Sequence, residues 1–196
     1  SATLTSATPT SISASGKTYT LGIGLNSQGS GGETITVKPV ANSIFDLAGN
    51  ASATSQSNNT KTLIDKLGPS ITGIVIANDN STVAVTLAET AYPSTSNSGN
   101  IDAADFKFFI TGGVATLSAS TPSSFSKSSN VYTLGIPLNG TPNGAEVLKV
   151  EPVANSIYDA LDNISTTTQS NNTANIKDKL APTVSSVAVA ANNATI

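Results

Sequence analysis

Carboxylate and amide side chains are the groups in this sequence best suited to chemistry, and they recur at fixed spacing. Asp46 and Asn50 form an Asp-x-x-x-Asn pattern, and Asp159 and Asn163 form the same pattern. Calcium takes about six to eight oxygen ligands, which carboxylates, amide side chains and loop carbonyls provide. The candidate calcium ligands are Asp46, Asn50, Asp65, Glu89, Asp159, Asn163 and Asp178. A cation held between a boundary aspartate and a nearby loop would stiffen a joint between modules.

A simpler interpretation of the Asp-x-x-x-Asn pattern is a capped turn. Aspartate routinely accepts hydrogen bonds from backbone amides one or two positions along the chain. The spacing typical of an EF-hand loop is absent, so the pattern alone leaves both the turn and the metal interpretation open.

Catalysis is not expected. The chain has no histidine and no cysteine, so it lacks the residues of a Ser-His-Asp or Cys-His arrangement, a common zinc cluster or a proton shuttle near neutral pH. Asp102 and Asp105 offer a pair of carboxylates, as in glycosidases, but there is no tryptophan to bind a sugar ring. We predict a protein that is not an enzyme.

The chain repeats itself at an offset of 113 residues without insertion or deletion. Residues 39–44 return as 152–157, and residues 56–60 return as 169–173. Of the 83 pairs in the overlap, 40 are identical. Such self-similarity at a fixed period indicates a tandem array of one module.

The repeat also predicts where the modules begin and end. Residues 69–181 form one complete copy, residues 1–68 the later part of a preceding copy, and residues 182–196 the opening strand of a following one. We therefore expect a window on a longer polymer, with any signal peptide or anchor outside it. Subunits that lend strands to each other are the alternative, although residues 182–196 are too short to replace the counterpart of residues 84–113.

Composition restricts the partners. Nine lysines against twelve acids give a net charge of -3, with no arginine, which argues against a nucleic-acid partner. No apolar run reaches the roughly 20 residues that a membrane-spanning helix needs. The low charged fraction of 11% and the many Ser, Thr and Asn residues suit a secreted, solvated polymer.

Short alternating segments predict an all-β module. Strands are expected at 71–77, 83–87, 106–110, 114–117, 131–138, 147–153 and 174–177, with at most one helical turn at 102–106. The loop 139–144 contains two Asn-Gly steps and predicts a hairpin between the strands that flank it. The pattern favours an antiparallel sandwich of about seven strands.

The turn sequence and the boundary motif carry a family resemblance. Residues 44–50, Ile-Phe-Asp-Leu-Ala-Gly-Asn, and the boundary Leu180-Ala181-Pro182 resemble the tandem bacterial Ig-like repeats of large secreted or cell-surface proteins of the adhesin and surface-layer type. The later copy departs from the pattern at Asp162, where the family has glycine. The resemblance implies Ig-like β-sandwich modules that act as a spacer, adhesive or coating unit at the bacterial surface, without implying a ligand.

We therefore expect a structural extracellular repeat protein that forms a stalk, filament or surface coat. Its partners would be neighbouring repeats and, by strand addition or lateral association, other copies. The alternative is an adhesive module that binds a glycan or a surface through the loops 94–100 and 139–144.

Overall fold

The computed structural model describes residues 1–193 and divides the chain into two compact units. Unit 1 is Ser1–Gly68 and unit 2 begins at Pro69. Both are built of short antiparallel strands, and the one helical element of the described residues is a single 3₁₀ turn, Ala103–Asp105. No helix within residues 1–193 has the length and apolar character needed to span a bilayer.

Unit 1 consists of two separate strand pairs. Its strands are β1 (Ile12–Ser15), β2 (Thr18–Leu21), β3 (Thr34–Thr36) and β4 (Thr60–Thr62). The first two form a hairpin whose turn includes Gly16 at a φ of 60°, a conformation that glycine adopts without strain. The other two pair across a long connection.

Unit 2 contains nine strands within its described residues. They are β5 (Ile71–Ile76), β6 (Thr82–Leu87), β7 (Phe106–Thr111), β8 (Thr116–Leu117), β9 (Phe125–Ser128), β10 (Val131–Gly135), β11 (Leu138–Asn139), β12 (Val147–Pro152) and β13 (Thr173–Asn175). They form a four-stranded sheet in the order β5-β6-β10-β9, a three-stranded sheet β13-β12-β7 and a short pair β11-β8.

The larger sheets of unit 2 bury one common apolar core, as a β-sandwich does. Strand β6 alternates half-buried and buried residues, which places Val83 and Val85 in the core. Phe106 of β7 and Tyr132 of β10 come from different sheets, and their ring centroids lie 5.5 Å apart. Burying several large side chains in this way is the main stabilising term available to a module without disulfides.

The two copies share their strand pairing wherever they overlap. The register Ile12 to Leu21 in unit 1 is repeated as Phe125 to Leu134 in unit 2. The pairing of β3 with β4 likewise matches that of β12 with β13, position for position. The repeated sequence therefore specifies the same local topology twice.

The predicted hairpin around residues 139–144 is wrong. Strand β10 pairs with β6 and β9, whereas β12 pairs with β7 and β13, so the two predicted partners lie in different sheets. The predicted strand 131–138 is interrupted near Pro137, which has no N–H to donate, and Leu138 continues in β11 against β8. The tight hairpin is instead β9-β10, which turns at Ser129 with a φ of 54°.

Two other expectations also differ from the structure. Unit 2 has nine short strands rather than about seven, because residues 131–139 split into two strands and β9 had no strong sequence signal. The sequence predicted an opening strand at 182–196. Residues 182–193 form no strand, and residues 194–196 lie outside the described residues. The counterpart of this segment, β5, pairs with β6 in unit 2.

Candidate functional site

The Asp-Asn turn of unit 2 is a buried, closed hydrogen-bond motif. The Oδ1 atom of Asp159 accepts N–H groups from Leu161 and Asn163, each at 2.8 Å, and its Oδ2 accepts the Asn163 side-chain amide at 2.8 Å. The Asp159 N–H donates to the Asn163 carbonyl at 3.0 Å. Because Asp159 is only 1% exposed, these bonds replace the water that the carboxylate loses on folding.

The same turn forms in unit 1, but at the surface. Asp46 accepts N–H groups from Ala48 at 2.9 Å and Asn50 at 2.8 Å, and the Asn50 side-chain amide at 2.8 Å. The amide of Asn50 is the main cause that lowers the pKa of Asp46 below its ordinary value. Both aspartates therefore make the bonds of the capped-turn interpretation.

Within unit 2 the structure brings a third predicted calcium ligand, Glu89, close to the Asp159–Asn163 turn. A carboxylate oxygen of Glu89 lies within 4.8 Å of one of Asp159. The oxygens of Asp159 also accept the three turn bonds described above. Calcium binding at the seven predicted residues stays a prediction.

The boundary aspartates also cap local turns. Asp65 Oδ1 accepts the Leu67 N–H at 2.9 Å, and Asp178 Oδ1 accepts the Leu180 N–H at 2.8 Å. These bonds fix the backbone just before Pro69 and its counterpart Pro182. The same turn bond therefore forms just before both predicted module boundaries.

A carboxylate that the sequence analysis missed holds two loops of unit 2 together. Glu146 is fully buried and accepts N–H groups from Val114, Ala115, Asn143 and Gly144 at distances of 2.8 to 3.2 Å. Burial opposes its ionisation, but the amides of Ala115 and Val114 outweigh that effect and lower its pKa to about 2.

Unit 1 repeats this motif at Glu33. Its Oε1 accepts the Ala2 N–H at 2.7 Å and its Oε2 the Ser30 N–H at 2.8 Å, and these two bonds lower its pKa to about 2. The available signal was that the glutamate is identical in the two copies, inside loops in which most of the other residues change.

The paired carboxylates Asp102 and Asp105 form a capping box. Asp102 accepts the Ala104 N–H at 2.7 Å, and Asp105 accepts the Asp102 N–H at 2.8 Å, so each bonds the backbone of the 3₁₀ turn. Burial is the main cause that raises the pKa of Asp105. Their hydrogen bonds place both side chains in the entry to β7.

The loops proposed for adhesion differ in how they are held. In the loop 94–100 the hydroxyls of Ser94, Ser96 and Ser98 hydrogen-bond one another, and the Asn97 amide donates to the Ala160 carbonyl at 3.0 Å. The loop 139–144 is held by Glu146 through Asn143 and Gly144. Ligand binding by either loop stays a prediction.

Comparisons of the chain with protein-family models, with curated proteins and with solved structures found no significant match.

Proposed function

We propose that this chain is a structural extracellular repeat protein, in which Ig-like modules follow one another to form a stalk, filament or surface coat on a bacterial cell. The observation that carries the proposal is that the two copies repeat the same sequence pattern and the same strand pairs. The sequence is repeated at one offset, and the strand pairs of unit 1 recur in unit 2 with the same registers. A protein with one catalytic or signalling site has no need for a second copy of its framework.

The groups that recur in both copies support this proposal because they act on the backbone. The Glu33 and Glu146 carboxylates tie loops together, and the Asp46 and Asp159 carboxylates close turns. Their hydrogen bonds are directed inward, to amides of the same unit. What the repeat preserves is therefore a set of stabilising bonds, as expected of a module selected for its shape.

The boundary segments suit a joint of limited freedom. Asp65 and Asp178 cap the backbone in the same way, and a proline with a fixed φ follows each of them. An ordered connection of this kind costs the chain little further entropy when it is pulled straight. We therefore expect the length of an array to grow in proportion to the number of copies.

Small-angle scattering on arrays of two, four and six copies of residues 69–181 tests the proposal. The maximum dimension should increase linearly with copy number. The matched control replaces residues 178–181 and the Pro69 that follows them at each boundary with a Gly-Ser linker of equal length, which should give shorter, freely jointed particles. Equal dimensions for the native and the Gly-Ser arrays would contradict a mechanical role for the boundary.

A further inference from the structure

Unit 1 exposes apolar side chains whose counterparts are buried in unit 2. Tyr19 is 63% exposed and Val37 47% exposed, whereas Tyr132 and Val150 are both 0% exposed. The four positions that change in this way are Tyr19, Ile23, Val37 and Ile44, and they are called here the open face. Their counterparts Tyr132, Ile136, Val150 and Ile157 all belong to the single core of unit 2.

The strands that cover this face in unit 2 have no equivalent beside unit 1. Strand β10 is paired along one edge by β6, and β12 is paired along one edge by β7. Within residues 1–193, the corresponding edges of β2 and β3 carry no strand. Unit 1 therefore offers two sets of backbone hydrogen-bonding groups beside its apolar face.

A groove runs through unit 1 where the missing strands would pack. It has a volume of about 240 Å³, and its apolar lining includes Leu21, Ile23, Ile35 and Val37. In unit 2 the counterparts of these residues are buried together with Val83 and Val85 of β6 and Phe106 of β7. The apolar part of the groove lining suits a segment with inward valine and phenylalanine residues at β spacing.

We propose that the open face of unit 1 binds a segment with the strand pattern of residues 69–113, supplied by another copy of the repeat. This inference rests on the proposed repeat array and specifies the interaction that completes its modules. In unit 2 the covering strands connect through Gly113 to Val114, the counterpart of Ser1. The backbone at the start of unit 1 is held in the same way as its counterpart in unit 2. Ala2 donates its N–H to Glu33 Oε1 at 2.7 Å, and Ala115 donates its N–H to Glu146 Oε1 at 2.9 Å.

The tail of a second copy is a poorer occupant. Residues 182–193 correspond to 69–80 and include only the β5 pattern, with Val184, Val187 and Val189 exposed. In unit 2, β5 is the outermost strand of its sheet and pairs with β6, while it is β6 that pairs with β10. A lone β5 equivalent would therefore lack the strand that connects it to the edge of β2.

The test joins a second copy of residues 69–113 directly ahead of Ser1 in the full chain. The chain has no cysteine, so Ile23→Cys supplies a single thiol on the open face whose labelling rate reports burial. Ile136→Cys, in the core of unit 2, is the buried reference. The matched control carries the same added segment with serine at the positions that correspond to Val85, Phe106 and Phe108.

We expect the added segment to slow labelling of the Ile23→Cys thiol by at least about tenfold, toward the rate of the buried reference, and the serine control to leave it unchanged. Hydrogen exchange of Thr18–Leu21 and Thr34–Thr36 in the chain without cysteine should slow in parallel. Unchanged labelling and exchange would overturn the proposal. A second outcome would also overturn it. If the chain without the added segment became protected as its concentration rose, and lost that protection when residues 182–196 were deleted, the open face would be assigned to the tail of a second copy.

This outcome is separable from the array test. The scattering arrays contain only complete copies of residues 69–181, so their extension does not depend on the open face. Extended arrays with an unprotected Ile23→Cys thiol would refute the docking inference alone, and compact arrays with a protected thiol would refute the mechanical proposal alone.

Discussion

Unit 1 and unit 2 contain the same strand pairs, yet only unit 2 has a closed core. The β9-β10 hairpin buries Tyr132 under Phe106, whereas the matching β1-β2 hairpin leaves Tyr19 exposed to solvent. Local pairing is thus determined within each hairpin, and burial is determined by strands that arrive from elsewhere in the sequence. The two copies separate these contributions, because the paired strands keep the same registers while, within residues 1–193, the covering layer is present in unit 2 only.

The largest expected effect comes from truncating the two tyrosines. Tyr132→Ala should lower the free energy of unfolding of unit 2 by about 3 to 5 kcal/mol, because it leaves a cavity between two sheets. Tyr19→Ala should change the stability of unit 1 by no more than about 0.5 kcal/mol, because the side chain is already largely in water. Hydrogen exchange of β10 and of β2, measured at increasing denaturant concentration, reports the stability of each unit separately. Equal losses at the two positions would show that Tyr19 is buried in solution.

The loop carboxylates give the next largest effect, through pH. The ordinary pKa of glutamate is 4.5, and that of Glu146 in the folded chain is about 2. A depressed pKa means that the folded state binds the proton less readily than the unfolded state, so this stabilisation is complete above about pH 4.5 and is lost as the pH falls toward about 2. Glu146→Gln should abolish that part of the pH dependence and lower the Tm of unit 2 at pH 7 by about 10 °C.

Glu33→Gln is the matched control for this pH effect. The pKa of Glu33 in the natural chain is also about 2. Glu33, however, lies in the unit without a closed core, where fewer strands depend on the loop that it holds. We expect a much smaller change in Tm there. A circular dichroism melt of each variant at several pH values between 2 and 7 separates the two cases, and an unchanged acid transition in Glu146→Gln would contradict the assignment.

The Asp-Asn turns provide a smaller contrast. Asp159→Ala should cost about 1 to 3 kcal/mol, because it removes the buried carboxylate that accepts the Leu161 and Asn163 amides. Asp46→Ala should cost less, because water replaces the lost bonds at the surface. Chemical unfolding at neutral pH measures both, and a larger loss in Asp46→Ala would reverse the comparison.

The calcium prediction is tested on the same pair of variants. A cation that binds only the folded chain raises Tm in proportion to the logarithm of its concentration above the Kd. If Asp159 and Glu89 contribute ligands, millimolar calcium should raise the Tm of the natural chain and have less effect on Asp159→Ala. A Tm independent of calcium and of chelator in both proteins would leave the turn as the whole role of Asp159.

Sequence patterns were sufficient for the features that depend on neighbouring residues. Alternation placed β5, β6 and β7 because inward residues such as Val83, Val85 and Phe106 recur every second or third position. The Asp-x-x-x-Asn spacing had the capped turn as one of its two interpretations. The pairing of β10 was not predictable from the Asn-Gly loop, because β10 pairs with β9 through the tight turn at Ser129 and with the more distant strand β6. Glu146 was missed because its role depends on amides more than thirty residues away, at Val114 and Ala115.

The smallest expected effect lies in the one turn residue that differs between the copies. Asp162 has a φ of 66° where its counterpart Gly49 has 84°, and a side chain in that region is strained while glycine is not. Asp162→Gly should therefore stabilise unit 2 by about 0.5 kcal/mol, the relief of strain being partly offset by the greater freedom of glycine in the unfolded chain. Asp162→Ala, which keeps the strain, is the control and should not stabilise. Because Asp162 is exposed, a gain of the same size from alanine would mean that its charge beside the turn, rather than its backbone, limits stability.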